Sequence, residues 1–154
     1  MDLDGLYVAI GSILGLSDQA VKTYMDEQSP EYRKVLANGN IQLLKSYNRG
    51  AFLNFGEKKP EAIAMISVVL TAFIAGGAFQ VLGKNRNAFS KLSLCLLTSG
   101  ALSNTIDRLT RKHVIDYINF PKLPKKMSRI VYNVADFEIF LGVLLSIVGA
   151  VLEK

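Results

Sequence analysis

Apolar residues in this chain are gathered into four long stretches that polar segments separate. The clearest of them, 62–83, runs for 22 residues without a charged side chain. An α-helix of that length is about 33 Å long, which is enough to cross the hydrocarbon core of a bilayer. Three further stretches carry one or more charged residues each, and they cover 5–25, 88–109 and 131–152. The pattern predicts an all-α membrane protein with four transmembrane helices in a single domain, 1–154.

Two long polar segments and one short turn connect these stretches. The first long segment, 26–59, contains Asn38-Gly39-Asn40, which is typical of a hairpin turn, and short strands are expected around it in 41–55. An even number of spans places both termini on one side of the membrane and both long segments on the other. The distribution of Lys and Arg leaves the orientation open, because the short turn 84–87 is basic but the long segments hold more basic residues in total.

Composition and charge support the membrane interpretation. Half of the residues are apolar, and the mean hydropathy is +0.26. The alternative, a soluble helical domain with very apolar core helices, accounts poorly for an uncharged run of 22 residues. The net charge of +5 is typical of a protein whose basic side chains lie near lipid headgroups. No basic helical stripe with interleaved aromatic residues accompanies this charge, so a nucleic-acid partner is not expected.

The N-terminal segment does not resemble a cleaved signal sequence. Its start, Met1-Asp2-Leu3-Asp4, is acidic where a signal sequence is basic, and Asp18 and Lys22 lie where cleavage would occur. We therefore expect the first helix to be retained. Cys95 is the single cysteine, so no intrachain disulfide can form, and we interpret it as a small packed hydrophobe.

Carboxylates lie inside or at the edges of three of the apolar stretches. Asp18 interrupts the first, Asp107 closes the uncharged part of the third, and Asp136 and Glu138 lie near the start of the fourth. An ionised carboxylate in hydrocarbon costs on the order of 3 kcal/mol even on lenient insertion scales. Such residues are retained where a partner compensates them or a function uses them. The pattern predicts a polar site built inside a membrane protein.

Helical spacing groups several polar residues on shared faces. One face of the third helix carries Gly100, Asn104, Asp107, Arg108 and Arg111, which lie three or four residues apart or side by side. A glycine on that face permits another helix to approach closely. Asn133 and Asp136 share a face at the start of the fourth helix, where the helix dipole favours a carboxylate. Each asparagine lies one turn before an aspartate, so we expect its amide to orient a carboxylate. We expect Arg108, next to Asp107, to offset buried negative charge.

The available side chains limit the chemistry of such a site. The segment 114–118 is apolar around Asp116, which predicts a strand or a re-entrant segment with that carboxylate buried. His113 is the only histidine and is interpreted as a loop residue, so a metal is not expected. Serine and cysteine nucleophiles lack a paired base in the apolar stretches. What remains is acid–base chemistry by two close carboxyls that share a proton, although an ion or proton carrier fits the buried charges equally well.

Five short blocks of sequence occur in a recognisable order. The three stronger blocks are Ser99-Gly100-Ala101-Leu102-Ser103-Asn104-Thr105-Ile106-Asp107-Arg108, Val114-Ile115-Asp116-Tyr117-Ile118 and Tyr132-Asn133-Val134-Ala135-Asp136. The two weaker blocks are Asp18-Gln19 with Lys22, and Asn48-Arg49-Gly50-Ala51-Phe52. Together they closely resemble the signature of the signal peptidase II family, the lipoprotein signal peptidases, over nearly the whole chain. Ser99 and Ser103 stand where glycines are common in that family, and 49–54 departs from the usual ending of its block.

The resemblance implies a bacterial inner-membrane aspartyl endopeptidase with four transmembrane helices, cytoplasmic termini and a small extracytoplasmic β-rich cradle. Its substrate would be the signal peptide of a diacylglyceryl-modified prolipoprotein, cut before the lipidated cysteine near the outer face of the membrane. A monomer without a cofactor is expected. The motif match places the catalytic pair on Asp116 and Asp136. The resemblance implies that this pair is held in place by Asn104, Asp107, Arg108 and Asn133. Further matched positions are Asp18, Lys22, Asn48 and Gly50, together with Gly100. The alternative is an inactive relative that binds lipid-modified peptides without cutting them, and the intact aspartates argue against it.

Overall fold

The computed structural model describes residues 2–51 and 56–152 of the chain. Its helices are α1 (Leu3–Glu27), α2 (Pro60–Val81), α3 (Ala88–Thr110) and α4 (Val134–Leu152). Each predicted apolar stretch therefore forms a helix whose ends lie within three residues of the expected ones. The helix α4 begins later than predicted because Val131–Tyr132 pair as a short strand.

Two of these helices, α2 and α4, are long and apolar enough to cross a membrane, as judged by length and composition over the described residues. Large aromatic side chains point outward from both, with Phe73 and Phe79 of α2 80% and 85% exposed and Phe140 of α4 64% exposed. The helices α1 and α3 carry charged and hydroxyl side chains, which lower their hydropathy. The prediction of four helices is confirmed, and length and composition mark two of them as candidate membrane spans.

The helix α3 lies at the centre of the bundle and packs against α1, α2 and α4. Glycines permit the close approach of α3 and α4. A Cβ atom at Gly100 would lie 2.5 Å from the Ala135 carbonyl oxygen, and one at Gly142 would lie 3.0 Å from the Ser93 carbonyl oxygen. The first distance is too short for a Cβ atom, so Gly100 must be glycine unless the backbone shifts, and the second is tighter than most Cβ contacts. The expected role of Gly100 in close packing is confirmed.

A four-stranded antiparallel sheet lies at one end of the bundle, with its strands in sequence order. The strands are β1 (Arg33–Leu36), β2 (Ile41–Asn48), β3 (Val114–Asn119) and β4 (Val131–Tyr132). The β1–β2 turn runs through Asn38 and Gly39, whose φ angles of 54° and 83° suit asparagine and glycine. The predicted hairpin is thereby confirmed, while the last part of the expected strand region, 52–55, lies outside the described residues.

The strand β3 docks the sheet on the end of α1. Ile115 and Tyr117 of β3 are buried against Met25 of α1. The side chain of Asp116 points away from these two neighbours, because successive residues of a strand face opposite sides, and it is also buried. The segment 114–118 is therefore a strand and not a re-entrant turn, and the predicted burial of Asp116 is confirmed.

Candidate active site

Asp116 and Asp136 are held on either side of Asn133, and we call them the amide-held pair. Asp116 lies in the middle of β3 and Asp136 in the first turn of α4. The side-chain amide of Asn133 donates to Asp116 Oδ1 at 2.7 Å, and its backbone N–H donates to Asp136 Oδ2 at 3.0 Å. The Asp136 N–H donates in return to Asn133 Oδ1 at 2.9 Å, as in a helix N-cap. A single residue thus fixes both carboxylates.

Two further asparagines complete the pair. Asn104 of α3 donates from Nδ2 to Asp136 Oδ1 at 3.1 Å, and Asn48 of β2 donates to Asp116 Oδ2 at 3.3 Å. The Asn104 amide reaches across to Asp136 on α4 and not to Asp107 one turn after it, which agrees with the role in holding the pair that the family resemblance implies. The expectation for Asn133 is right in part, because its backbone N–H binds Asp136 while its side-chain amide binds Asp116. Every hydrogen bond named here offers a neutral donor to a carboxylate, which orients the oxygens without cancelling their charge.

Asp18, Lys22 and Asp107 form a second cluster, which we call the ion-paired cluster. All three are fully buried. Lys22 Nζ lies 2.8 Å from Asp18 Oδ2 and 3.3 Å from Asp107 Oδ2. It also donates to Asn104 Oδ1 at 2.9 Å, so Asn104 links this cluster to the amide-held pair. The cation compensates the buried negative charge, as a carboxylate inside a bundle requires.

The ion-paired cluster also ties the surrounding elements together. Asp18 accepts hydrogen bonds from the Tyr117 hydroxyl at 2.8 Å and from the Val134 N–H at 3.0 Å, which connects α1 to β3 and to the start of α4. Asp107 accepts a hydrogen bond from the Ile115 N–H at 3.2 Å and forms an ion pair with Arg111. The strand that carries Asp116 is thus positioned by carboxylates on α1 and α3.

Arg108 interacts electrostatically with the carboxyls of Asp116, Asp136 and Asp107, as expected for a cation that offsets buried negative charge. It forms no ion pair with Asp107 among the described residues. The partners of Asp107 are Lys22 and Arg111, the latter one helical turn further on. Arg108 instead donates to the carbonyl oxygens of Asn104 at 3.2 Å and of Gly50 at 3.1 Å. It therefore joins α3 to the segment that follows β2.

The structure also places residues near the site that sequence reasoning did not assign to it. Gln19 donates to Asp107 Oδ1 at 3.2 Å and to Ser103, and Ser103 donates to Asp18 Oδ2 at 2.6 Å. Both residues fall inside the quoted sequence blocks, so the blocks were a signal for them. Tyr117 also lies inside a block, although no spacing rule predicted its contact with Asp18 on another element.

The electrostatic environment of Asp116 favours its protonated form. Burial raises the pKa of this carboxyl, and the negative charge of Asp136 raises it further, to about 7. The hydrogen bonds from Asn133 and Asn48 act in the opposite direction, since they stabilise the carboxylate. At neutral pH the Asp116 carboxyl can therefore hold a proton beside a second carboxyl.

His113 lies just before β3, as expected for a loop residue, and its ring packs on Tyr47 with the centroids 4.1 Å apart. Burial lowers the pKa of His113, so the imidazole is mostly neutral at pH 7. Within the described ranges, no group of three or more His, Cys, Asp or Glu residues could hold a metal ion.

Comparison with known proteins identifies the family. The sequence model described as Signal peptidase (SPase) II matches residues 10–152. This chain belongs to the signal peptidase II family. Lipoprotein signal peptidase from Serratia marcescens is 30% identical over 152 residues, which cover 96% of this chain and 85% of that protein. The enzyme of the same name from Streptococcus pneumoniae is 30% identical over 151 residues, which cover 92% and 89%.

Solved structures show the same fold. A bacterial membrane enzyme determined by the in meso method at 2.3 Å resolution superposes with a TM-score of 0.82 at 23% sequence identity, covering 97% of this chain and 88% of that one. A second, determined at 1.9 Å resolution, gives a TM-score of 0.78 at 22% identity, covering 94% and 91%. The helical bundle with its small antiparallel sheet is therefore the fold of known bacterial membrane enzymes.

Proposed function

We propose that this signal peptidase II family member is an intramembrane aspartic endopeptidase that removes signal peptides from diacylglyceryl-modified prolipoproteins, cutting before the lipidated cysteine. The observation that carries the proposal is the amide-held pair. Asp116 and Asp136 come from different elements, share Asn133, and accept hydrogen bonds from neutral donors. The family membership supplies the substrate class, because its curated relatives are named lipoprotein signal peptidases.

The proposed mechanism uses one proton shared by two carboxyls. Asp116, with a pKa of about 7, holds the proton in the resting enzyme, while Asp136 acts as the base. Asp136 takes a proton from a water molecule while the oxygen of that water attacks the scissile carbonyl carbon. Asp116 protonates the carbonyl oxygen, and the product is a gem-diol. Collapse of the gem-diol breaks the C–N bond. The departing nitrogen takes the proton from Asp136, and a gem-diol hydroxyl returns one to Asp116.

The proposed membrane arrangement has all four helices spanning the bilayer. The helices α1 and α3 are 25 and 23 residues long, and their charges Asp18, Lys22 and Asp107 are fully buried inside the bundle. An isolated helix would have to expose such charges to lipid, whereas packed helices need not. The sheet then lies at the outer face with the amide-held pair, both termini are cytoplasmic, and a monomer forms one domain over 1–154.

The position of Asp116 favours a peptidase over an ion or proton carrier. A carrier requires its carboxylates along a path between the spans. Asp116 lies on a strand of the small sheet and not on a helix. That position suits a substrate whose cleavage site is at the membrane surface.

The experiment that tests the proposal is cleavage of a diacylglyceryl-modified prolipoprotein by purified protein in detergent, followed as a mass shift on a gel. We expect Asp116→Asn and Asp136→Asn each to lower turnover at least about 100-fold, because each removes an acid–base group. Glu31→Gln, which changes an exposed carboxyl, is the matched control and should cleave normally. Near-normal turnover by either asparagine variant removes that residue from the catalytic pair.

A further inference from the structure

The loop between β3 and β4, residues 120–130, carries a positive charge that forms no ion pair with the described residues of the bundle or with the amide-held pair. We call it the basic loop. It contains four basic residues and no acidic one. They are Lys122, Lys125, Lys126 and Arg129, and all four are exposed. Two apolar side chains of the loop, Leu123 and Met127, are also exposed, at 38% and 46%.

The basic loop has a defined shape. Asn119 donates from Nδ2 to the carbonyl oxygens of Ser128 at 2.8 Å and Ile130 at 2.9 Å, which closes the loop at its base. The Met127 N–H donates to the Pro124 carbonyl at 2.7 Å, which forms a turn within it. Over the described part of the chain, no carboxylate forms an ion pair with any of the four basic residues. Lys122 Nζ donates to the Asn38 carbonyl oxygen at 2.8 Å, which ties the loop to the turn between β1 and β2. The charges of Lys125, Lys126 and Arg129 are available to an external partner.

An aromatic cluster places the base of this loop at the end of α4. The Phe120 ring lies 6.2 Å from that of Phe137 and 6.1 Å from that of Tyr132. Phe137 belongs to the first turn of α4, and its side chain is 40% exposed. The helix α4 is one of the two helices apolar enough to span a membrane. Aromatic side chains are enriched where a span meets the headgroups. The base of the basic loop would consequently lie at the boundary between hydrocarbon and water.

We propose that the basic loop is a docking surface for anionic phospholipid headgroups beside the outer end of α4. Lys125, Lys126 and Arg129 meet the lipid phosphates, and Leu123 and Met127 enter the boundary region between headgroups and acyl chains. The inference rests on the membrane placement of α4 in the proposed function, but it does not depend on proteolysis. A surface with several cations, no acids and two apolar side chains matches an anionic bilayer in both charge and polarity.

Lipid docking at the basic loop would affect the position of the amide-held pair, because β3 and β4 connect the two directly. β3 carries Asp116 and enters the basic loop at its end, and β4 leaves the loop directly before Asn133. Asn133 is the residue that donates to both aspartates. A loop anchored on lipid would hold both strands at a fixed depth, and so would set the depth of the catalytic pair.

The first test measures lipid binding by the full protein in detergent, using native mass spectrometry with short-chain phosphatidylglycerol and phosphatidylcholine. We expect tighter binding of phosphatidylglycerol, and a loss of about tenfold or more in that affinity for the variant Lys125→Gln with Lys126→Gln. The control Lys34→Gln with Lys58→Gln removes two exposed charges elsewhere and should retain the preference. Equal binding of both lipids by the unmodified protein, or an equal loss in the control, overturns the proposal.

The second test measures depth directly. A spin label is attached at Leu123→Cys in a Cys95→Ala background, and the protein is placed in nanodiscs with or without phosphatidylglycerol. We expect the label to become more accessible to oxygen and less accessible to a water-soluble nickel chelate when phosphatidylglycerol is present. A label that stays fully accessible to the chelate in both nanodiscs overturns the proposal, even if prolipoprotein cleavage is normal. If cleavage is lost but the label shows the expected change in accessibility, only the proposed function is contradicted.

Discussion

The two acidic clusters of this protein lie side by side and differ in what compensates them. In the ion-paired cluster, Lys22 contacts Asp18 and Asp107 at 2.8 and 3.3 Å, and all three side chains are fully buried. In the amide-held pair, Asp116 and Asp136 receive asparagine amides and a backbone N–H. Lys22 offsets the charge of both carboxylates that it contacts, whereas neutral donors leave the like charges of Asp116 and Asp136 uncompensated, and a shared proton would relieve them. The first arrangement suits a structural role and the second suits proton transfer.

The largest effect on stability is expected from Lys22→Met, which removes the cation from the ion-paired cluster. The variant leaves buried carboxylates without their partner, at a cost of about 3–5 kcal/mol in the free energy of unfolding. Thermal unfolding in detergent, read by a dye that reacts with the buried Cys95 thiol, measures this loss. Adding Asp18→Asn to Lys22→Met should restore part of the stability.

A matched control for this experiment is Lys91→Met. Lys91 pairs with Asp4 at 2.8 Å, but both side chains are partly exposed. Its loss should cost no more than about 1 kcal/mol. If Lys22→Met is no less stable than Lys91→Met, the ion-paired cluster does not have the structural role that separates it from the amide-held pair.

The pH dependence of stability should distinguish Asp116 from an ordinary carboxyl. Its pKa is about 7 in the folded protein and near 3.8 when unfolded, so the folded state holds the extra proton between these values. Stability contributed by this group is therefore present at low pH and is lost as the pH rises towards 7. The variant Asp116→Asn has no carboxyl at this position, so its stability should not fall in this way as the pH rises. Above pH 7 it should be more stable than the unmodified protein by up to about 4 kcal/mol.

Denaturation of the two proteins over a pH series checks this sign. Glu31→Gln, with an exposed carboxyl, should follow the unmodified protein throughout. Cleavage by the unmodified protein should also fall on the alkaline side of pH 7, as the shared proton is lost. An Asp116→Asn variant with the same pH profile of stability as the unmodified protein would show that Asp116 holds no such proton.

Asn104 contacts both clusters, so its removal tests how far they are coupled. Asn104→Ala loses the donor to Asp136 and the acceptor for Lys22. We expect kcat to fall about tenfold to 100-fold with a smaller change in KM, because the amide aligns the pair and does not hold the peptide. Steady-state cleavage kinetics measure this, with the exposed Asn40→Ala as control. Weaker binding with unchanged kcat would assign Asn104 to substrate contact.

Much of the fold could be predicted because it follows from local patterns. The uncharged run 62–83 becomes α2, and Asn38-Gly39-Asn40 forms the turn between β1 and β2. The short apolar stretch around Asp116, for which a strand was one of two expectations, forms a buried strand. Apolar length and turn chemistry are properties of neighbouring residues, and therefore they are visible before any tertiary contact is known.

The contacts of the site were less predictable, because spacing shows which residues share a helix face but not what that face meets. Asn104 and Asp107 lie one turn apart, yet Asn104 binds Asp136 on α4 while Asp107 faces Lys22 on α1. Arg108 similarly reaches Gly50 in the segment after β2 and leaves Asp107 to Arg111. Such pairings depend on how α1, α4 and the sheet are placed around α3.

The smallest effect, and the sharpest contrast with the amide-held pair, is expected at Glu138. This carboxyl lies two residues after Asp136 on α4 and is 3% exposed, and within the described ranges neither of its oxygens has a hydrogen-bond partner. The hydroxyl of nearby Ser99 donates instead to the Gly11 carbonyl oxygen at 2.6 Å.

A buried polar group without partners costs stability, so Glu138→Met should raise the free energy of unfolding by about 1–3 kcal/mol. Glu138→Gln, which retains polar atoms, should gain less. Both variants should cleave prolipoprotein normally, since neither Glu138 oxygen is hydrogen-bonded to the amide-held pair or to Asn133. A folded Glu138→Met variant that fails to cleave would place a third carboxyl in the catalytic machinery and overturn the two-cluster description.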